Sequence, residues 1–536
     1  MGLAACTTAP TADIFTTSRS GAKCEYNGIV RFKHAHATGN AVRIFADSTR
    51  QTLDGFGGSL TESSAFVLAC LPQNEREAVL RELFSEQGAN FPIVRTQIGA
   101  SDFSVEGKYS LLEQEGDVAL NSFSLNRDKE GFKQDKYPYV LDETYDLYPL
   151  MKEVWSIKQA QNDRTYRIVA SPWTAPAWMK DNKMYYQRDQ YASRGGALLP
   201  GYYQTYADYL TRFVQTYADE GIDIWALTPE NEPMGNDGGW ESMDMPPAVE
   251  AEFIGHYLAP TLQKAGLEQV EILGFDQNIF EMGPYTAAIY GNEESYAATA
   301  GMAVHWYGST ISCFPEVLDS IHRLYPDKKL LHTEGCIDNL GCPVWGDVIS
   351  DPEGFQECCW FLNDDFWWTP SATDWAYSTP WWPELHPAYA PAMRYASYII
   401  DGLNHWLTGF IDWNIVLDSI GGPNHVNNFA AAPVMVNYQA TNAQTGEREP
   451  IIYYTPYYYV LKQFSRTMRP GDVVVRVDAP AKDNIHICAV KKQDGSYAVQ
   501  ILNTALEPDR LTLALNNYEA EITIPASSLQ TLIIKE

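Results

Sequence analysis

Two glutamates stand where this sequence could do chemistry. Glu232 lies in Glu230-Asn231-Glu232-Pro233, at the polar end of the apolar run Ile222–Thr228, and Glu334 ends a second run, Lys329-Leu330-Leu331-His332-Thr333-Glu334. A pair of carboxyl groups can divide a hydrolysis between them: one protonates a leaving oxygen while the other attacks carbon or activates water. A lone Glu is more safely read as a surface charge. These two differ because both cap apolar strands in an aromatic setting, which calls for a scaffold that presents both to one space.

The elements around them supply that scaffold. Tyr206, Tyr209, Leu210, Phe213, Val214 and Tyr217 repeat at helical spacing, and Gly221 fits the stop just past the helix. Helix, turn and carboxylate-tipped strand then follow in order. The same design recurs where Ile321, Leu324 and Tyr325 end a helical pattern before Lys329–Thr333. Strands are expected at 53–58, 91–98, 166–171, 222–228, 270–275, 302–307, 329–333 and 409–413, most with polar or aromatic residues at their ends. Eight such units predict an α/β fold, a (β/α)₈ TIM barrel whose active site lies at the C-terminal rim of the strands.

The domain reading follows. Residues 1–27 are expected as an N-terminal arm, 52–468 as the catalytic barrel, and 28–51 with 469–536 as an all-β sandwich side domain. The sandwich strands are read at 42–46, 473–477, 485–490, 497–503, 511–515, 520–524 and 532–534, with Asp494-Gly495 as a hairpin turn. Two inserts stand out: a long loop over 103–147, and an aromatic insert over 337–392 expected to wall the substrate cleft.

Bulk properties narrow the partners. A formal net charge of -30 argues against nucleic acid or an anionic membrane, which would be repelled. An aromatic content of 13% suits large cores and also flat platforms for sugar rings. No apolar run approaches the roughly 20 residues of a membrane helix. Leu3-Ala4-Ala5-Cys6 resembles a bacterial lipobox, so the protein is expected to be secreted or periplasmic and anchored through Cys6. The cluster Cys336, Cys342, Cys358 and Cys359 lacks the paired spacing of a zinc site but could hold a disulfide. No metal or other cofactor is expected. No dinucleotide fingerprint, P-loop, H-E-x-x-H or G-x-S-x-G motif competes with the carboxylate pair.

Further stretches extend the pattern: Asp54-Gly55-Phe56-Gly57-Gly58, Arg95 with Ser101-Asp102-Phe103-Ser104, and Ala170 to Lys180 around Trp173. Next come Asp276-Gln277, Ala303-Val304-His305-Trp306-Tyr307, Asp412-Trp413-Asn414, and Gly421-Gly422-Pro423-Asn424 with Asn427-Asn428-Phe429. In these residues, taken with Glu230 to Pro233 and Glu334, the chain resembles glycoside hydrolase family 30, especially its glucosylceramidase-like members. The resemblance implies a retaining β-glycosidase acting on a carbohydrate or glycolipid, with Glu232 as general acid/base and Glu334 as nucleophile. It implies that Asn231 binds the sugar 2-hydroxyl and that Arg95 and Tyr307 hold Glu334 ionised and oriented. Asp102, Trp173, His305, Trp413 and Asn428 would line the substrate site. The 337–392 insert and the Met234–Met245 segment depart from the family pattern, and both are expected to border the leaving-group side. Two alternatives stand within the family, an endo-β-1,6-glucanase and a β-xylosidase. A carbohydrate-binding protein without catalysis is the reading from another class; it has no need of an intact Glu232 and Glu334.

Overall fold

Eight parallel strands close into a barrel in the computed structural model, which describes residues 9–35, 41–186, 195–235, 239–309, 312–336 and 389–535. In chain order they are β1 (Gly55–Leu60), β2 (Ile93–Ile98), β3 (Arg167–Pro172), β4 (Ala226–Leu227), β5 (Glu271–Asn278), β6 (Thr299–His305), β7 (Lys329–Glu334) and β8 (Leu407–Asp412). Each pairs with its neighbours in sequence, and β8 closes against β1. The run 222–228 keeps only two residues as formal strand, yet Trp225 N–H and Thr228 N–H still donate to the β3 carbonyls of Ile168 and Ala170.

Helices cover the outside, as a buried parallel sheet requires. The helix Tyr203–Asp219 shows why its sequence folds so: the expected aromatic face is buried while Gln204 and Arg212 are exposed. Gly221 ends it at φ 77°, a left-handed conformation that costs a residue without Cβ little. No helix among the described residues is long and apolar enough to cross a membrane.

The barrel interior is built in two layers, each following strand alternation. The lower layer is apolar: Ile93, Val169, Ala226, Leu273, Ala303, Leu331 and Ile411, one from each of β2 to β8. On β1 the matching position, paired with both Ile93 and Ile411, is Gly57. A Cβ there would lie 1.8 Å from the Ile93 carbonyl oxygen, so the close approach demands glycine. Two residues further along, the inward positions turn polar: Ser59, Arg95, Ser171, Thr228, His305 and Thr333, with Trp413 beyond β8. That step from oil to polar groups marks the floor of the rim site.

Ten strands form the side domain, in the order 25–31, 11–18, 528–535, 497–503, 485–491, 473–478, 42–52, 509–515, 518–524 and 33–34. Its separate core includes Ala12, Val42, Val475, Val499, Leu513 and Ile534. Every strand read from the sequence there is present. The N-terminal arm is not: Thr11–Ser18 is an interior strand paired with Glu25–Arg31 and with Ser528–Lys535. One of its partners lies at the far end of the chain, and its Ala12 is wholly buried. Gln463, on the barrel helix Pro456–Thr467, locks the two domains together by accepting from Thr17 Oγ1 at 2.7 Å and donating to Thr531 Oγ1 at 2.8 Å.

The loop over 103–147 lacks regular structure until its last residue, where a helix begins at Leu147, and it buries Phe103, Tyr109, Leu112 and Val140 as anchors. A small sheet of Val416–Asp418, Val434–Asn437 and Ile451–Tyr454, not foreseen from the sequence, follows β8 and frames the loop that carries Asn428. The aromatic insert lies outside the described residues as far as 388, as do Cys6, Cys342, Cys358 and Cys359.

Candidate active site

Glu334 ends β7 with hydrogen bonds on both carboxylate oxygens. Arg95 Nη1 donates to Oε2 at 2.5 Å and the Tyr307 hydroxyl to Oε1 at 2.9 Å. Arg95 is fully buried on β2, and its other arms reach the Asn231 amide oxygen at 2.6 Å, Asp276 at 2.7 Å and Ser171 Oγ at 3.1 Å. Its guanidinium also lies 4.7 Å from the Trp173 ring centroid and 5.6 Å from that of Trp413. Those two buried rings stack at 4.9 Å and 23°. A buried cation is tolerated because two carboxylates and two aromatic faces surround it.

Glu232 follows β4 on a strained backbone. Its φ is 53°, rare for a non-glycine residue, and its N–H donates to the Asp276 carbonyl at 3.0 Å. His305 Nδ1 faces Glu232 Oε1 at 3.4 Å and Glu334 Oε1 at 4.0 Å, while Nε2 faces Asp276 Oδ1 at 3.0 Å. The Glu232 side chain is 16% exposed against 7% for Glu334, which suits a group that must meet both leaving group and water. One carboxylate oxygen from each Glu and a His305 nitrogen all lie within 4.8 Å of one another. Retaining glycosidases hold their carboxyl groups about 5–5.5 Å apart, whereas inverting ones leave about 6.5–9.5 Å for a water.

The electrostatics follow from burial and partners. Burial works against a charged His305, but Glu334, Asp276 and Glu232 outweigh it and bring the imidazole up to about 9. Burial likewise pushes Glu334 above the usual carboxylate range, while His305 and Arg95 pull it back. The two hydrogen bonds it accepts favour its ionised form. Asp276, though buried, is held well below that range by Arg95, His305 and Thr333. Asp102 is pushed well above it by burial and by Glu334, and accepts from Asn428 Nδ2 at 3.0 Å. The trio Glu232, His305 and Glu334 has the spacing of a cation site, but the Arg95 guanidinium already holds Glu334 Oε2 and a protonated His305 has no lone pair to offer a metal.

The family model for the glycosyl hydrolase family 30 TIM-barrel domain matches residues 53–341 and 385–468, and that for the family 30 β-sandwich domain matches 474–532. This chain belongs to glycosyl hydrolase family 30. Members of this family are retaining glycosidases, and this chain is a glycoside hydrolase of that kind. The lysosomal acid glucosylceramidase of Mus musculus is 25% identical over 503 residues, spanning 93% of this chain and 84% of its own. The endo-β1,6-glucanase BT3312 superposes with a TM-score of 0.70 at 25% identity, covering 98% of this chain and 99% of that one. SrfJ from Salmonella typhimurium, with a TM-score of 0.76, 23% identity and coverage of 98% and 99%, shares the fold.

Against the family pattern, the residues singled out from the sequence converge on one rim. Arg95, Asn231, Tyr307 and Glu334 form one network with His305 and Glu232. Asp102 and Asn428 are bonded to each other, and the Phe103 ring beside Asp102 packs edge-on against Trp413. His305 departs from the expectation: it is fully buried with both nitrogens turned to carboxylates, so it contacts the catalytic pair rather than an open sugar pocket. Sequence reasoning left two groups out. Asp276 enters only through the Asp276-Gln277 stretch of the family resemblance, with no role assigned to it. Glu241 accepts from the Lys108 N–H at 2.6 Å and faces His425 Nε2 at 3.0 Å, with His425 Nδ1 on the Ser104 carbonyl at 2.8 Å. This staple ties the segment after the acid/base to the 103–147 loop. Nothing in the local pattern around Glu241 or His425 signals a contact across 184 residues.

Proposed function

We propose that this family 30 enzyme releases a β-linked glucosyl unit by double displacement, with Glu334 as nucleophile and Glu232 as acid/base. Glu334 attacks the anomeric carbon as Glu232 protonates the departing oxygen, so the C1–O bond breaks and a glycosyl ester forms. Glu232, now a carboxylate, takes a proton from water; that water attacks C1, the ester bond breaks and Glu334 is freed. Two inversions return the β-anomer. The observation that carries this reading is that one carboxylate oxygen of Glu232 lies within 4.8 Å of one of Glu334, with Arg95 and Tyr307 both donating to Glu334.

Asp102 and Asn428, joined at the rim, and the amide NH₂ of Asn231, whose oxygen is held by Arg95, support hydroxyl recognition of the glycone. The activity named for the mouse relative supports glucose as that glycone. The second reading is an endo-β1,6-glucanase, favoured by near-complete superposition on a structure of that name. Proton NMR of nitrophenyl β-D-glucoside turnover tests the proposal: the first sugar released should be the β-anomer. An initial α-anomer would overturn the double displacement. No turnover of the glucoside, with cleavage of β-1,6-glucan, would move the substrate to the second reading.

The Leu3-Ala4-Ala5-Cys6 pattern supports a site outside the cytoplasm, secreted or periplasmic and tethered by a lipid on Cys6. Membrane retention lost in Cys6→Ser would bear this out; unchanged partitioning would remove it.

A further inference from the structure

Side chains from β2, β3, β6 and β7, and Thr228 just past β4, converge on Asp276. Its Oδ2 accepts from Arg95 Nη2 at 2.7 Å, Thr228 Oγ1 at 2.8 Å and Ser171 Oγ at 3.0 Å; its Oδ1 accepts from Thr333 Oγ1 at 2.6 Å and faces His305 Nε2 at 3.0 Å. Strand alternation alone would send this carboxylate the other way. Leu273 points into the barrel, so Phe275 should follow it inward and Asp276 should face the helix Met282–Gly291. Instead, φ is 76° at Phe275 and 58° at Asp276, and the pairing with β6 slips by one residue between Ala303 and Val304. The bulge swings Phe275 out onto the Tyr285 ring, 4.9 Å away, and brings Asp276 in. Two consecutive left-handed non-glycine residues need support. Buried Glu250 accepts the Phe275 N–H at 2.7 Å, and the Asp276 carbonyl accepts the Glu232 N–H at 3.0 Å.

We propose that Asp276 is a positioning residue that couples the two catalytic carboxylates: it seats Arg95 against Glu334 and holds the His305 ring between Glu334 and Glu232. This rests on the roles given above to those two glutamates. His305 is faced by Asp276 from β5, Glu232 from beyond β4 and Glu334 from β7, with the Tyr307 ring edge-on; Arg95 and His332 are the nearby basic groups. During the reaction the negative charge leaves Glu334, as the ester forms, and appears on Glu232. Asp276 alone of the three keeps its charge throughout. It therefore holds the imidazolium in place while the catalytic charge passes from one side of it to the other, and the second step, where Glu232 must act as a base, depends on it most.

The test is Asp276→Asn in enzyme carrying ¹³C-labelled histidine, with His305→Gln used to assign the His305 signal. In the native enzyme that signal should stay protonated up to about 9; in Asp276→Asn its midpoint should fall by at least about one pH unit. With nitrophenyl β-D-glucoside, kcat should drop about a hundredfold and KM should fall with it, as slowed hydrolysis lets the glycosyl ester accumulate. Intact-mass spectrometry should reveal that adduct. An unmoved His305 midpoint with kcat within about threefold of native would overturn the proposal. Should Asp276→Asn fail to fold, His305→Gln decides, since coupling between the two carboxylates needs the His305 link as well as Arg95: the same falls in kcat and KM with adduct build-up support it, and near-native kcat without adduct overturns it. Glu334→Gln separates the two levels. An active Glu334→Gln enzyme removes the underlying assignment, whereas an inactive one beside an unperturbed Asp276→Asn removes the coupling alone.

Discussion

Asp276 and Asp412 lie at the C-terminal ends of β5 and β8, both fully buried, and their surroundings push them in opposite directions. Asp412 obeys strand alternation: Ile411 fills the barrel layer, and Asp412 points out to the helix Ala390–Asn404. There one oxygen accepts from the Tyr395 hydroxyl at 2.6 Å, and the other has no partner among the described residues. Burial pushes its carboxyl well above the usual range. Asp276 breaks alternation and meets a guanidinium, an imidazole and three hydroxyls, which hold it ionised. The two histidines repeat the lesson. His305 faces inward among carboxylates, and His332 faces outward, stacked at 4.2 Å on Phe410, where burial holds it well below its ordinary value. A one-residue bulge decides which buried acid faces the catalytic rim.

The harshest way to break this comparison is to remove the cation. Arg95→Met should cost about 3–5 kcal/mol in urea unfolding, because it strands two buried carboxylates, whereas Tyr395→Phe on the Asp412 side should cost about 1 kcal/mol. Similar losses for both would mean that the inward network is no more ionic than the outward one. Next in size is activity. Against the hundredfold fall expected for Asp276→Asn, Asp412→Asn should keep kcat within about threefold, since Asp412 points out of the barrel to Tyr395, away from both catalytic glutamates.

The smallest effect is the pH dependence, and its sign differs between the partners. His305 is raised from 6.5 to about 9, so its contribution to stability is present below 6.5 and lost as pH rises through about 9. Asp276 is depressed below 3.8, so its contribution is present above 3.8 and lost as pH falls through its lower folded value. Thermal unfolding across pH should therefore lose an alkaline limb in His305→Gln and an acid limb in Asp276→Asn. An unchanged alkaline limb in His305→Gln would show that His305 is not charged in the native state.

Much of this was legible in the sequence because periodicity is local. The eight barrel strands, the flanking helices and the two carboxylate-tipped runs each declare themselves within a few residues. Arg95, Asn231, Tyr307 and Glu334 could be placed together because their motifs sit at strand ends, and strand ends share a rim. What stayed hidden depends on register. A period-two reading of Leu273-Gly274-Phe275-Asp276 points Asp276 outward, and only the left-handed pair at 275 and 276 reverses it. Thr11–Ser18 was missed for a related reason: its partner strands, 25–31 and 528–535, include one at the far end of the chain, and nothing near residue 11 announces it. The Glu241–His425 staple was hidden likewise, by separation rather than by composition.

The most direct test of the account is to trap the intermediate. Incubation with 2-deoxy-2-fluoro-β-D-glucosyl fluoride, which slows both steps and hydrolysis of the ester most, should leave a covalent sugar, and peptide mass spectrometry should place it on Glu334. A label on any other residue would contradict the assignment of Glu334 as nucleophile.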